Sequence, residues 1–164
     1  EKLLFAITTF YTPLIEAIYP YISRTKNQRF AKKMVIITTA INTLGCLAAY
    51  ALAPIVVPII FGPGFMPAIH VFQCMLVVAV LHLPSSMIGY PVLGALGYEK
   101  TANRSVMLGA ITHACLLGIF FNQLTAPIHF VWIMIASQGV IFSIRLVRLI
   151  QVGRNQNTIS TTNE

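Results

Sequence analysis

The sequence has very few charged residues for a chain of its length. Only 9% of its 164 residues are charged, four residues are acidic, and 57% are hydrophobic. Soluble domains usually carry about 25% charged residues, and a soluble protein could not leave most of its surface apolar without aggregating. The composition therefore excludes an ordinary soluble domain and predicts a protein that crosses a membrane several times.

The sequence also lacks the residue patterns of common catalytic and metal sites. Its three cysteines, Cys46, Cys74 and Cys115, lie in apolar runs without Cys-x-x-Cys spacing. We interpret them as small buried residues rather than as metal ligands or disulfide partners. No arrangement is typical of a nucleophilic triad, a metal cluster or a phosphate-binding glycine loop. We therefore expect neither an enzyme nor a bound metal or cofactor.

The longest uncharged run extends from Met34 to Tyr98 and contains no Asp, Glu, Lys or Arg. A run of this length holds two membrane spans of about 20 residues each. Near its middle lies the sequence Phe-Gly-Pro-Gly, residues 61–64, in which glycine allows positive φ and proline ends a helix. We therefore predict a hairpin that reverses at a membrane surface, with the other spans packed around it.

The basic residues predict the topology, because short cytoplasmic loops retain Lys and Arg. Their number alternates 5, 0, 2, 0, 3 from the first predicted loop to the C-terminus. This pattern predicts an all-α polytopic bundle, residues 1–150, with five spans and a cytoplasmic C-terminus. The spans lie near residues 3–19, 34–61, 67–96, 102–121 and 127–147, and a disordered cytoplasmic tail follows at 151–164. Since the chain begins Glu-Lys without a signal peptide, we expect it to be the C-terminal part of a longer protein.

Small and polar residues recur every three or four positions along the predicted spans, so they share helix faces. Ser85 and Gly89 form one such stripe beside Pro84, and Ser105 and His113 belong to another. These faces either pack closely against other helices or border a water-filled cavity. Polar groups at membrane depth often serve a function. The candidate residues of a transport path are Glu16, Asn42, His82, Arg104, His113 and Arg145.

Two interpretations stay open for several of these candidates. Glu16 is either an interfacial carboxylate paired with the basic loop or a group that couples transport to a proton or cation. His82 and His113 are either transport groups or neutral histidines hydrogen-bonded between helices. The segment around Pro84 is the best candidate for a moving part, because proline leaves a carbonyl group without its helical donor.

Three segments in a fixed order carry a resemblance to a known family. They are AIYPYISR at 17–24, PIIFGPGFMPA at 58–68 and VLGALGYEK at 92–100. In these segments the chain resembles the polysaccharide flippases (O-antigen, Wzx-type) of the multidrug/oligosaccharidyl-lipid/polysaccharide exporter superfamily. The resemblance implies the C-terminal lobe of a larger two-lobed transporter in the bacterial inner membrane.

The resemblance also implies a substrate and partners. The substrate is an undecaprenyl-diphosphate-linked oligosaccharide, moved to the periplasmic leaflet, and the partners are membrane lipids and the polysaccharide polymerase machinery, with no nucleic acid. Family cavities are basic, whereas no Lys or Arg lies deep within a predicted span here. Either the missing part supplies the charge, or Arg104 and Arg145 reach inward from the cytoplasmic rim. The alternatives are a drug/cation antiporter of the same superfamily and a noncatalytic membrane subunit.

Overall fold

All regular structure in the described part of the chain is helical. A computed structural model describes residue 13 and residues 16–162, with side chains up to residue 153. The elements are α1 (16–25), α2 (Gln28–Phe61), a 3₁₀ turn (Pro63–Phe65), α3 (Ala68–Met87), a π-helical segment (Ile88–Gly94), α4 (Glu99–Phe120), a second 3₁₀ turn (Phe121–Gln123) and α5 (Pro127–Thr162). No strand occurs among these residues, and the predicted all-α bundle is confirmed.

Four helical stretches are long and apolar enough to cross a membrane. They are Gln28–Phe61, Ala68–Gly94, Glu99–Gln123 and Pro127–Gly153. Each has at least 25 residues, more than the roughly 20 that a helical span needs. The last four predicted spans each coincide with one of these stretches. The first predicted span, 3–19, falls mostly outside the described residues.

The turn after α2 forms where the glycine and proline signals predict it. Gly62 has a φ of 89°, and its N–H donates to the carbonyl oxygen of Pro58 over 2.8 Å. Pro63 then opens the short 3₁₀ turn, because its fixed φ suits the first position of a helix. Gly64 does not have a positive φ. The chain reversal therefore requires glycine at Gly62 alone.

The helix that begins with α3 loses its α-helical pattern at the π-helical segment. Gly89 departs from helical geometry with a ψ of −114°, and Pro91 lies two residues later. Proline has no N–H and its ring clashes with the carbonyl group four residues earlier, so the backbone must widen or bend there. Pro84, in contrast, lies inside α3. The irregular backbone therefore lies at Gly89, within the polar stripe beside Pro84, rather than at Pro84 itself.

Most of the apolar core surrounds the π-helical segment. Buried side chains from α1, α2, the π-helical segment and α5 form its largest cluster: Ile18, Ile22, Ala31, Val35, Met87, Ile88, Val92, Leu93, Ala95 and Leu149. Ile22, Val92 and Leu93 are fully buried in it. A smaller cluster of Cys46, Leu76 and Ala79 joins α2 to α3. The π-helical segment is thus held from several sides although its own hydrogen-bond pattern is irregular.

Two features differ from the sequence predictions. α5 continues through Thr162, although a disordered tail was expected from residue 151. The first residues beyond 150 pack on the bundle, because Val152 is buried and Gly153 lies against the Lys32 side chain of α2. Of the cysteines, Cys46 is buried, but Cys74 is half-buried and Cys115 is exposed, so the prediction of burial is wrong for Cys115.

Candidate functional site

Basic side chains meet at one end of the bundle. Three contacts define this basic end: Lys26 Nζ donates to the Ala95 carbonyl oxygen over 2.6 Å, Lys32 packs on Gly153, and the Arg148 guanidinium lies 4.6 Å from the centre of the Tyr98 ring. These contacts join the start of α2, the connection before α4 and the C-terminal part of α5. The uncharged turns at 62–67 and 121–127 lie at the opposite, neutral end, since successive helices run up and down. Basic and neutral loops alternate along the sequence, so the basic loops lie at one end of the bundle and the neutral turns lie at the other.

Arg145 on α5 is the one charged side chain that is buried among the described residues, with 8% of its surface exposed. Its Nε donates to Ser105 Oγ of α4 over 2.8 Å. One terminal nitrogen donates to the Ser85 carbonyl oxygen of α3 over 2.6 Å, and the other lies 3.5 Å from the Ala102 carbonyl oxygen. Arg145 therefore links three helices. We call Arg145, Ser85, Gly89, Ala102 and Ser105 the arginine node.

The irregular backbone at Gly89 makes room for the guanidinium. A Cβ at this position would lie 2.7 Å from one terminal nitrogen of Arg145 and 2.8 Å from its central carbon. Real Cβ atoms do not approach other heavy atoms this closely. With the guanidinium in this position only glycine fits at residue 89, where the span leaves α-helical geometry. The polar stripe that contains Ser85 and Gly89 is the sequence signal for this site.

The charge of Arg145 has no carboxylate partner in the described part of the chain. The two acidic residues described, Glu16 and Glu99, are both exposed, and neither takes part in the hydrogen bonds of Arg145. Hydroxyl and carbonyl oxygens solvate the guanidinium but do not neutralise it. Moving an unneutralised charge out of water is costly. The node therefore retains a positive charge that favours a nearby anion.

Two of the predicted transport residues make contacts that fit helix packing. Asn42 is buried, and its amide donates to the Ala79 carbonyl oxygen over 3.1 Å, which joins α2 to α3. His113 Nδ1 lies 3.1 Å from Ser137 Oγ, which joins α4 to α5. The Ser137 hydroxyl also lies 2.9 Å from the Ile133 carbonyl oxygen of its own helix. These contacts favour a histidine hydrogen-bonded between helices.

Three of the other predicted residues are exposed in the described bundle. Glu16 and Arg104 have exposed side chains and join no part of the arginine node. His82 is also exposed, with Nε2 at 3.4 Å from Ser86 Oγ, but it neighbours Gln138 and Arg145 of α5. Of the six predicted residues, Arg145 alone belongs to the arginine node, and His82 lies near it without a hydrogen bond to it. Glu16, Asn42, Arg104 and His113 lie elsewhere.

Comparison of the chain with protein-family models, with curated proteins and with solved structures returns no significant match. The fold and the site still define a class of protein. It is an all-α bundle with four helices suited to a membrane, in which a buried arginine is fixed beside a break in helical geometry. Among the described residues, no group of three or more His, Cys, Asp or Glu could hold a metal ion. The site therefore offers positive charge and hydrogen-bond donors as its chemistry.

Proposed function

We propose that this chain is part of a flippase that moves an undecaprenyl-diphosphate-linked oligosaccharide across the bacterial inner membrane to the periplasmic leaflet. The observation that carries the proposal is the buried guanidinium of Arg145, which has no carboxylate partner among the described residues. Ionisable groups buried within membrane-spanning helices are rare and usually serve a function. The diphosphate has the charge opposite to this cation, and its isoprenoid chain is compatible with an apolar bundle.

The identity of the substrate rests on the resemblance of residues 17–24, 58–68 and 92–100 to the O-antigen flippases. The second of these segments contains the turn after α2, and the third connects the π-helical segment to α4. By the positive-inside rule, the basic end and the C-terminus face the cytoplasm. Membrane lipids surround the bundle there, and the polymerase machinery receives the unit on the periplasmic side.

The hydrogen bonds of Arg145 indicate how it would hold the substrate. A guanidinium has five N–H donors in a planar fork, and the fork matches two oxygens of a phosphate. The contact with the Ala102 carbonyl oxygen, at 3.5 Å, is the longest in the node. The nitrogen that makes this contact is the one that most readily exchanges its partner for a phosphate oxygen, while the bonds to Ser85 and Ser105 keep the side chain in place.

The π-helical segment supplies the means for a conformational change. Single π-helical turns inside α-helices often occur at functional sites, and residues 88–94 lie directly beside the guanidinium. A shift from π-helical to α-helical pairing would move Gly89 and Ser85 relative to α5. The node then opens or closes with the span, which couples anion binding to movement of the bundle.

A drug/cation antiporter is the main alternative, and it needs a carboxylate at membrane depth to bind its cation. Both described carboxylates, Glu16 and Glu99, are exposed. The described residues therefore favour an anionic substrate over a cationic one. In a noncatalytic membrane subunit, Arg145 would only link α3, α4 and α5 through its hydrogen bonds, and a transport assay distinguishes this alternative.

Transport by the complete protein in proteoliposomes tests the proposal. The substrate is a fluorescent undecaprenyl-diphosphate oligosaccharide, and an impermeant quencher reports how much of it reaches the outer leaflet. We expect Arg145→Met to abolish this movement and Lys33→Met, a change at an exposed basic residue of α2, to leave it unchanged. In cells, deletion of the gene should leave lipid-linked units on the cytoplasmic face. Normal long surface polysaccharide in the deletion strain, with no paralogue present, would remove the flippase assignment.

A further inference from the structure

Lys26 has a backbone conformation that lysine rarely adopts. It follows the last residue of α1 and has a φ of 51°, the one positive φ at a non-glycine residue in the described part of the chain. Its N–H donates to the Ile22 carbonyl oxygen over 2.8 Å, which closes the end of α1. Glycine is the usual residue at this position of a helix end, because a Cβ disfavours positive φ. An unfavourable backbone of this kind points to a contact that holds it in place.

The side chain of Lys26 contacts the residue that follows the π-helical segment. Its Nζ donates to the Ala95 carbonyl oxygen over 2.6 Å, across a sequence separation of 69 residues. Ala95 is buried, and its carbonyl group accepts none of the backbone hydrogen bonds that close the turn before α4. Buried carbonyl groups need a donor. Lys26 supplies this donor from the connection between α1 and α2.

Ala95 also makes the last hydrogen bond of the π-helical pattern. Its N–H donates to the Tyr90 carbonyl oxygen, five residues earlier, over 3.2 Å. The N–H of Leu96 already pairs in the α-helical way, with the Val92 carbonyl oxygen four residues earlier. A change to α-helical pairing throughout would rotate Ala95 about the helix axis by up to about 100°, the angle that one residue occupies. This rotation would carry its carbonyl group away from Lys26, so the contact is specific to the π-helical state.

A cationic side chain therefore holds the π-helical segment at each of its ends. Before the segment, Arg145 of α5 donates to the Ser85 carbonyl oxygen and lies against Gly89. After the segment, Lys26 donates to the Ala95 carbonyl oxygen. The two cations come from different parts of the chain, α5 and the connection between α1 and α2. A change in the pairing of the segment must therefore alter its contacts with both parts.

We infer that Lys26 is a positioning residue that holds the π-helical segment in its π-helical state through the Ala95 carbonyl group. Its contact with Ala95 acts as a latch, since release of the carbonyl frees the segment to adopt α-helical pairing. The inference rests on the conformational change that the proposed function assigns to this segment, but it does not depend on the substrate. Its test needs no transport, so a negative result leaves the flippase assignment standing, and a failed transport assay leaves the latch standing.

Amide hydrogen exchange of the purified complete protein in a nonionic detergent tests the inference. Mass spectrometry measures exchange in residues 88–98, where exchange requires the π-type hydrogen bonds to break, and in α4 as a reference. Lys26→Met removes the ammonium group and keeps most of the apolar stem. We expect it to raise exchange in 88–98 about tenfold, because a hydrogen bond from a charged donor is lost, and to leave exchange in α4 unchanged. An equal rise in every helix would show that Lys26 only stabilises the fold and would overturn the inference.

Two further substitutions separate the latch from the turn at the end of α1. Lys26→Gly removes the side chain but suits the positive φ, so residues 22–26 should keep their protection while 88–98 exchanges as fast as in Lys26→Met. Lys26→Arg keeps a cationic donor on a long side chain and should retain most of the protection of 88–98.

The control Lys33→Met removes an exposed lysine of α2 at the same end of the bundle and should leave exchange in 88–98 unchanged. Parental exchange of 88–98 in both Lys26→Met and Lys26→Gly would refute the latch. It would also be refuted if Lys26→Arg exchanged as fast as Lys26→Met, or if Lys33→Met caused the same rise, because the effect would then not depend on a donor at position 26.

Discussion

Replacement of Gly89 by alanine should destabilise the bundle by about 2–3 kcal/mol. The added Cβ would lie 2.7 Å and 2.8 Å from two atoms of the Arg145 guanidinium, so the guanidinium must move. Any such movement weakens its bonds to the Ser85 carbonyl oxygen at 2.6 Å and to Ser105 Oγ at 2.8 Å. Hydrogen bonds that involve a charged group contribute about 1.5–3 kcal/mol each, and partial loss of two of them gives the expected magnitude.

The measurement is the free energy of unfolding of the complete protein in detergent, obtained by titration with a denaturing detergent and followed by circular dichroism. Gly45→Ala is the matched control, because a Cβ at Gly45 meets no atom within 4 Å. In that helix, alanine should stabilise the protein by up to about 1 kcal/mol, since it loses less backbone entropy than glycine on folding. The two Gly→Ala changes should therefore have opposite signs.

A double-mutant cycle separates the collision from other effects of alanine at position 89. Arg145→Met removes the guanidinium, so Gly89→Ala should then cost much less than in the parent, with a coupling energy of at least about 1.5 kcal/mol. If Gly89→Ala has the same effect in both backgrounds, the collision with Arg145 is not its cause. If the single variant is as stable as the parent, the guanidinium relaxes freely and the close packing of the node has been overestimated.

Further predictions concern the turns and the helix contacts. A cysteine at Thr125 should react with an impermeant thiol reagent from the periplasmic side, and one at Lys100 should not, since they lie at the neutral and basic ends. Gly62→Val should lower folded yield more than Gly64→Val, because of these two glycines only Gly62 has a positive φ. Equal yields of the two variants would show that the positive φ does not matter for folding. Asn42→Ala removes the bond that joins α2 to α3 and should cost about 1 kcal/mol in unfolding free energy.

The sequence predicts the elements that depend on local chemistry. Apolar run length predicts the last four spans, since a bilayer fixes how many apolar residues a helix needs. The turn at Gly62 is predicted because glycine and proline act on their own backbone and on the preceding turn. The separation of charge between two ends follows from the positions of Lys and Arg along the chain. None of these predictions requires knowledge of which helices touch.

The arginine node depends on contacts that the sequence does not reveal. Arg145 meets Ser85 and Ser105 across sequence separations of 60 and 40 residues. The polar stripes that contain these serines were visible, but helical periodicity does not say which stripe faces which. The segment around Pro84 was predicted as the moving part, and within it the backbone is irregular at Gly89 and Pro91 rather than at Pro84, because tertiary contacts decide which of several prolines a helix accommodates.

The buried arginine of α5 should be needed for the conformational step of transport as well as for holding the phosphate. Arg145 is fixed by Ser85 and Ser105 beside the π-helical segment that would move. In the proteoliposome assay, Arg145→Met should therefore abolish transport even at saturating substrate. If Arg145→Met instead raised only the substrate concentration for half-maximal transport and left the maximal rate unchanged, Arg145 would act in capture alone, because a binding group that acts before the conformational step changes affinity first.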